Sequence, residues 1–199
     1  MWDERYREQA LTYGDKPNDF LVEQVGALRP GNCLCIAEGQ GRNAVWLASQ
    51  GFDVTAVDQS SVGMARAKER AKERGVELAT KVADLAEFDL GDARWDNVVS
   101  IFGHLPSALR RDVHRRTVDA LKPGGVFLVE AYTPAQIETS GTGGPSDPDM
   151  LLTADVLRSE LPGLEAVLVR EITREVNEGE FHTGEGAVVQ FIARKPLGA

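Results

Sequence analysis

The sequence predicts a doubly wound α/β domain built on a mostly parallel sheet. Three observations point there: short, almost continuous apolar runs, helical patterns between them, and a glycine-rich bend where the first run gives way to a helix. A strand joined to its parallel neighbour by a helical crossover is buried on both faces, so it reads as a run and not as an alternation. The chain has 199 residues, within reach of one domain with a well-buried core. Residues 1–199 are therefore expected to be that single domain.

The elements follow in order. Residues 1–16 are mixed polar and aromatic, with Trp2, Tyr6 and Tyr13. Pro17-Asn18-Asp19 starts a helix on which Phe20, Leu21, Val25 and Leu28 recur at helical spacing, and Arg29-Pro30-Gly31-Asn32 turns the chain. Cys33 to Ala37 is the first strand. A helix from about Asn43 to Gln50 closes at Gly51, and Val54 to Val57 is the second strand. Ser60 caps a helix that runs to Arg74 and ends at Gly75. Glu77 to Val82 is the third strand, and Trp95 to Ile101 contains the fourth. Pro106 to Leu121 is helical, with Leu105, Leu109, Val113 and Leu121 on one side. Lys122-Pro123-Gly124-Gly125 stops it, and Val126 to Glu130 is the fifth strand. Residues 139–149, rich in Gly, Pro, Ser and Asp, read as a flexible loop. Thr153 caps a helix to Leu161. Two β-rich segments, Glu165 to Glu175 and Ala187 to Lys195, flank an extended hairpin connection. About seven strands result, with an antiparallel hairpin strand finishing the parallel sheet.

Composition narrows the function. Apolar residues make up 42% and charged residues 27%, as in ordinary globular domains. No apolar run approaches the roughly 20 residues of a membrane span, and Met1-Trp2-Asp3-Glu4-Arg5 lacks a signal-peptide core. A cytoplasmic protein without a membrane partner is expected. The formal charge is −9, whereas nucleic-acid binders carry a basic face. The dense basic cluster Arg110, Arg111, Arg115 and Arg116 reads as a solvated helix face, so no nucleic-acid partner is expected. Cys33 and Cys35, two apart on a strand, share a face and cannot bridge comfortably. No Cys or His cluster completes a metal site.

The most informative stretch is Ile36-Ala37-Glu38-Gly39-Gln40-Gly41-Arg42-Asn43-Ala44. Gly39, Gly41 and Ala44 fit the G-x-G-x-x-G/A fingerprint in its strand–turn–helix setting, which makes the fold Rossmann-like. Gly39 permits the tight turn, and Gly41 lets a ligand approach the backbone. Asp58 ends the second strand, where a carboxylate accepts hydrogen bonds from ribose hydroxyls. Two cofactors share this pattern: NAD and S-adenosylmethionine. Glu38, immediately before the first glycine, favours the second. Beside a pyrophosphate its charge would cost of the order of several kcal/mol, whereas an ammonium and a sulfonium gain from it. Glu38 also has a purely structural reading, as the cap of the helix that follows.

The sequence Glu38-Gly39-Gln40-Gly41-Arg42-Asn43 resembles motif I of class I S-adenosylmethionine-dependent methyltransferases. Its Gly-Arg-Asn continuation, the segment Tyr13 to Leu21 and the turn Lys122 to Gly125 are similar to bacterial tellurite-resistance and thiopurine-methyltransferase-like enzymes. The resemblance covers nearly the whole chain and implies a methyltransferase acting on a small thiol, metalloid oxyanion or heterocycle. It implies that Glu38, Gly39 and Gly41 line the methionine part of the cofactor, with Arg42 and Asn43 closing the turn. Asp58 would hold the ribose, with Gln59 beside the adenine. Asp84 and Leu85 would contact the adenine, and Ser100 and Ile101 would pass the methionine side. The chain departs from the common motif in having Glu for the opening Asp and Ala44 for the third glycine.

The acceptor side is less legible. His104, after the fourth strand, is either a proton acceptor and substrate guide or a helix cap. Phe102 is expected against the sulfonium or substrate. Glu130 and Tyr132 end the fifth strand and are expected to face the same crevice, Glu130 as base or clamp. Tyr6 and Tyr13 either cover the cofactor, as part of an N-terminal lid over residues 1–28, or pack on the exterior. His182 is expected exposed in the hairpin connection and His114 structural. Two other functions stay open: an NAD-dependent oxidoreductase, and a regulatory protein that binds S-adenosylmethionine without turnover. The sequence leaves the oligomeric state open.

Overall fold

The computed structural model describes residues 2–8, 13–179 and 181–198. One seven-stranded sheet runs in the order β3-β2-β1-β4-β5-β7-β6. Its strands are β1 (Asn32–Ile36), β2 (Asp53–Asp58), β3 (Ala79–Val82), β4 (Trp95–Ile101), β5 (Leu121–Tyr132), β6 (Glu165–Asn177) and β7 (Thr183–Arg194). Strands β1 to β5 pair in parallel, and β7 lies antiparallel between β5 and β6. The predicted Rossmann-like architecture is the observed one.

Among the described residues six α-helices accompany the sheet: α1 (Trp2–Glu8), α2 (Asp19–Gln24), α3 (Arg42–Ser49), α4 (Ser61–Glu73), α5 (Ser107–Ala120) and α6 (Ala154–Glu160). Two cores result, one on each face. Strand β1 shows why: Leu34 and Ile36 enter the core under α5 and α6 with Val113 and Leu157. Cys33 and Cys35 enter the other, with Phe20 of α2, Leu47 of α3 and Met64 of α4. Both cysteines are free and fully buried, the small apolar residues the sequence suggests. The expected caps form: Asn18, Ser60 and Thr153 accept from Leu21, Gly63 and Val156 amides.

Three local expectations change. The N-terminal segment contains α1, which its short mixed sequence did not announce. The hairpin connection is mostly ladder, since β6 and β7 stay in register from Glu165↔Arg194 to Asn177↔Thr183. Polar alternation on this outer hairpin disguised the strands, because one face meets solvent. The basic cluster on α5 is half internal: Arg110 and His114 engage Glu160, and Arg116 binds the carbonyls of Leu85 and Phe88. Residues 139–149 are tied to the hairpin through Thr142 N–H to the Thr183 carbonyl at 2.8 Å. No helix among the described residues is long and apolar enough to cross a membrane.

Candidate functional site

A cavity of about 860 Å³ opens at the carboxyl ends of β1, β2 and β4, where a doubly wound sheet holds its ligands. The floor is the bend after β1. Glu38 Oε1 accepts the amides of Asn43 and Ala44 at 3.0 and 2.9 Å, so this carboxylate caps α3 as well as lining the cavity. Withdrawal from water pushes its pKa up to about 7, against the opposing pull of the Ala44 amide and Arg42. Asp58 Oδ2 accepts the Gly39 amide at 2.9 Å and Oδ1 the Ser60 amide at 2.8 Å. Burial raises its pKa although both amides favour the charged form. A carboxylate has about four acceptor positions, so room for a hydroxyl pair remains.

Aromatic rings roof this floor. A Cβ on Gly39 would stand 2.5 Å from the Tyr6 hydroxyl, so the glycine makes room for the ring above it. Tyr6 is buried and stacks with Trp2 at 6.0 Å, and Tyr13 meets Tyr6 edge-on at 6.4 Å. Helix α1 is latched by Asp3, which accepts from Ser60 Oγ at 2.5 Å and Ser61 Oγ at 3.2 Å. Its carboxyl is held below the usual range, chiefly by the Ser60 hydroxyl. Gln59, Asp84 and Leu85 also line the cavity, and Asp84 Oδ1 accepts the Ala86 amide at 2.9 Å.

Two non-glycine residues with positive φ, Ala37 at 50° and Phe102 at 53°, end β1 and β4 at the cavity wall. Left-handed backbone at a bulky residue is sparsely populated and concentrates at functional sites. Phe102 stacks on Tyr132 at 4.5 Å and meets His182 edge-on at 4.7 Å. His104 Nδ1 donates to the Met150 carbonyl at 3.0 Å, while Nε2 faces the Tyr132 amide at 3.4 Å. Burial lowers its pKa to about 4, so the ring is neutral. It pins the 148–150 turn and does not cap α5.

Residues 33–125 match a family described as methyltransferase domains. Over this stretch, a little under half of its length, the chain is similar to methyltransferase domains. The chain is 25% identical over 134 residues to a glycine/sarcosine N-methyltransferase of Halorhodospira halochloris, over 65% of this chain and 47% of that protein. It thus spans about half the length of that relative. The fold is shared with TehB from Haemophilus influenzae, at TM-score 0.75 and 18% identity, over 98% of this chain and 67% of that one. A SAM-dependent methyltransferase from Methanosarcina mazei aligns at TM-score 0.71 and 20% identity, over 92% and 99% of the two chains. A structure solved for the conversion of a disulfide bond into a thioacetal group during echinomycin biosynthesis aligns at TM-score 0.77 and 20% identity, over 100% and 91%.

Most expected residues meet at the cavity: Tyr6, Tyr13, Glu38, Gly39, Arg42, Asn43, Asp58, Gln59, Asp84, Leu85, Ile101, Phe102 and His104 line it. Four sit elsewhere. Glu130 is fully buried and does not face the crevice. Its carboxylate accepts Arg174 at 3.0 and 2.7 Å, Gln190 Nε2 at 2.6 Å and Asn18 Nδ2 at 2.5 Å. A carboxylate so engaged is a structural ion, not a free base. Tyr132 is fully buried behind Phe102. Ser100 lies beneath Gly103, whose Cβ would come within 2.9 Å of the serine hydroxyl. At Gly41 a Cβ would stand 2.5 Å from Ala67 Cβ, so this glycine serves the approach of α4 rather than of a ligand.

The sequence reading missed the other half of the site. His182 is buried, lines the cavity and packs against Tyr13 at 4.6 Å. Burial lowers its pKa to about 3. Glu178 joins Arg42 and Arg174 in a four-charge cluster completed by Glu130. Burial raises the Glu178 pKa, but Arg42 and Arg174 outweigh it and hold the carboxyl below its usual range. Burial likewise opposes the charge of Arg174, and its two carboxylates more than restore it. Nothing local in the sequence links residues 42, 130, 174 and 178; the alternating charges of β6 were the available signal.

Proposed function

We propose that the protein is an S-adenosylmethionine-dependent methyltransferase acting on a small organic molecule. The observation that carries this is the cavity floor itself. Two carboxylates, Glu38 and Asp58, line a cavity that Tyr6, Tyr13 and Phe102 also line, with the Tyr6 ring over Gly39. Acidic groups and aromatic faces attract an ammonium and a sulfonium, and Glu38 would repel a pyrophosphate. The cavity volume also falls in the range of pockets that enclose a ligand of this size, about 300–1,000 Å³.

The cofactor supplies an electrophilic methyl group whose departing thioether needs no proton. The chain's work is then alignment and exclusion of water. Glu38 with Gly39 holds the methionine end, with Arg42 and Asn43 closing the turn and Ile101 beside it. Asp58 takes ribose hydroxyls, and Gln59, Asp84 and Leu85 surround the adenine. Phe102 and His104 shape the acceptor end, His104 as a neutral ring held in place by the Met150 carbonyl and the Tyr132 amide. Tyr6 and Tyr13, with α1 latched by Asp3, keep water from the reacting centre.

Small thiols and heterocycles suit this enclosed, largely uncharged acceptor end. The test is a screen of such compounds with S-adenosylhomocysteine formation as the readout, beside calorimetric binding of S-adenosylmethionine. Replacing Asp58 with Ala should weaken binding by roughly 1–3 kcal/mol, as for hydrogen bonds to an ionised group. Absence of measurable binding by the unmodified protein, with NADH binding in its place, would overturn the proposal.

A further inference from the structure

Two polar atoms at the acceptor end lack a hydrogen-bond partner among the described residues: Tyr132 Oη and His182 Nδ1. Both are buried. Native structures pair nearly all such groups, so two orphans on neighbouring rings need an explanation. The rings are 5.4 Å apart and nearly perpendicular, and Phe102 touches both. Both rings meet one segment of the cavity wall, Tyr132 through its hydroxyl from behind that wall and His182 through the Cδ2 edge of its ring. A Cβ on Gly143 would stand 2.5 Å from Tyr132 Oη and 2.9 Å from His182 Cδ2. Gly143 and His182 line the cavity.

The chemistry around them is apolar. Leu105, Leu109 and Met150 form the nearby wall. Among the described residues the cations that line the cavity are Arg42 and Arg70. Arg42 is bound to Glu178, and Arg70 lies 3.7 Å from Asp15. The carboxylate on the acceptor-side wall is Asp147, exposed and accepting the Asp149 amide at 3.0 Å. Arg70 keeps an unpaired Nη1, but it stands on α4 in the field of Glu38, Arg42 and Asp15, and the 143–150 wall itself carries no cation and no buried carboxylate.

We infer that Tyr132 Oη and His182 Nδ1 read the acceptor: an uncharged molecule with an apolar or aromatic body and one neutral hydrogen-bonding group. That group is engaged at the Gly143–Gly144 segment, which lifts to admit it, while the body lies against Phe102, Leu109 and Met150. Burial raises the Tyr132 pKa and lowers that of His182, so both rings stay neutral at physiological pH. The inference rests on the methyltransferase reading, because it names that enzyme's acceptor class, and it argues against metalloid oxyanions.

The experiment uses the full chain with and without S-adenosylhomocysteine, and phenol, toluene, benzoate and selenite as probes, followed by ligand-observed NMR. Phenol should bind about tenfold or more tighter than toluene, as a site built to hydrogen-bond a hydroxyl rejects the analogue without it. Benzoate and selenite should bind more weakly than phenol. Tyr132→Phe and His182→Phe, each checked for folding by circular dichroism, should bring phenol and toluene to within about threefold of each other without changing S-adenosylhomocysteine affinity. Equal binding of phenol and toluene, a preference that survives both substitutions, or tighter binding of selenite or benzoate would overturn the inference. Phenol selectivity without S-adenosylhomocysteine affinity would support this subsite and refute the cofactor reading. Cofactor affinity without phenol selectivity would refute the subsite alone.

Discussion

Replacing Arg174 with Ala should be one of the most damaging single changes in the protein, although Arg174 does not line the cavity. The guanidinium bonds both oxygens of Glu130 at 3.0 and 2.7 Å and Glu178 Oε1 at 2.8 Å. Glu130 is 0% exposed, and the side chains of Glu178 and Arg174 are 3% and 14% exposed. With Arg42, the cluster holds two carboxylates and two guanidinium groups. Removing one guanidinium leaves a carboxylate uncompensated in the interior, which typically costs about 3–5 kcal/mol. For a chain of this size that corresponds to roughly 6–20 °C in Tm. The assay is thermal and urea unfolding followed by circular dichroism. Charge imbalance, rather than lost packing, is isolated by Arg174→Met with and without Glu130→Gln. The double variant restores neutrality and should be more stable than Arg174→Met alone. A Tm for Arg174→Ala within about 2 °C of the parent, or strictly additive losses in the double variant, would refute the reasoning.

Three further outcomes follow from the same geometry. Glu38 has a folded pKa of about 7, against about 4.3 unfolded, so the folded state holds the extra proton and the ligand-free protein should lose stability as pH rises through that window. A bound sulfonium favours the ionised form, so S-adenosylmethionine binding near pH 7 should release about half a proton; buffer-independent calorimetric heats, or release that persists in Glu38→Gln, would contradict this. Gly41→Ala combines a left-handed φ of 80° with a Cβ 2.5 Å from Ala67, and should destabilise by roughly 1–2 kcal/mol for the backbone and 1–3 kcal/mol for overpacking, read in urea midpoints. Asp3→Ala should speed amide exchange across α1 and weaken S-adenosylhomocysteine binding while leaving the Tm nearly unchanged; unaltered exchange would mean that Ser60 and Ser61 are not what hold the helix.

The parallel half of the domain was readable because its strands are buried on both faces and its helices carry local caps. Leu34 and Ile36 alternate with Cys33 and Cys35 between two cores, which makes a run of apolar residues. The cavity floor was equally readable, because Glu38, Gly39 and Asp58 are brought together by their spacing along the chain. The acceptor end was not. His182 looked like an exposed loop residue because Gly179, Gly184 and Gly186 surround it in sequence, and only the β6–β7 ladder folds it under Phe102. Glu130 looked available because position along β5 fixes which end a residue occupies, but its partners come from residues 18, 174 and 190. Tertiary pairing of charges leaves no periodic trace.

The placement of the outer hairpin has a temporal corollary. During synthesis the ribosome releases the glycine bend, β4 and β5 well before Glu178 and His182. Until β7 slots between β5 and β6, Glu130 has neither Arg174 nor Gln190 beside it, and Arg42 waits for its counter-ion. Until then Glu130 stands on the open edge of β5, where water can solvate its carboxylate. The final ribbon buries Glu130 together with its partners and brings His182 to the cavity wall.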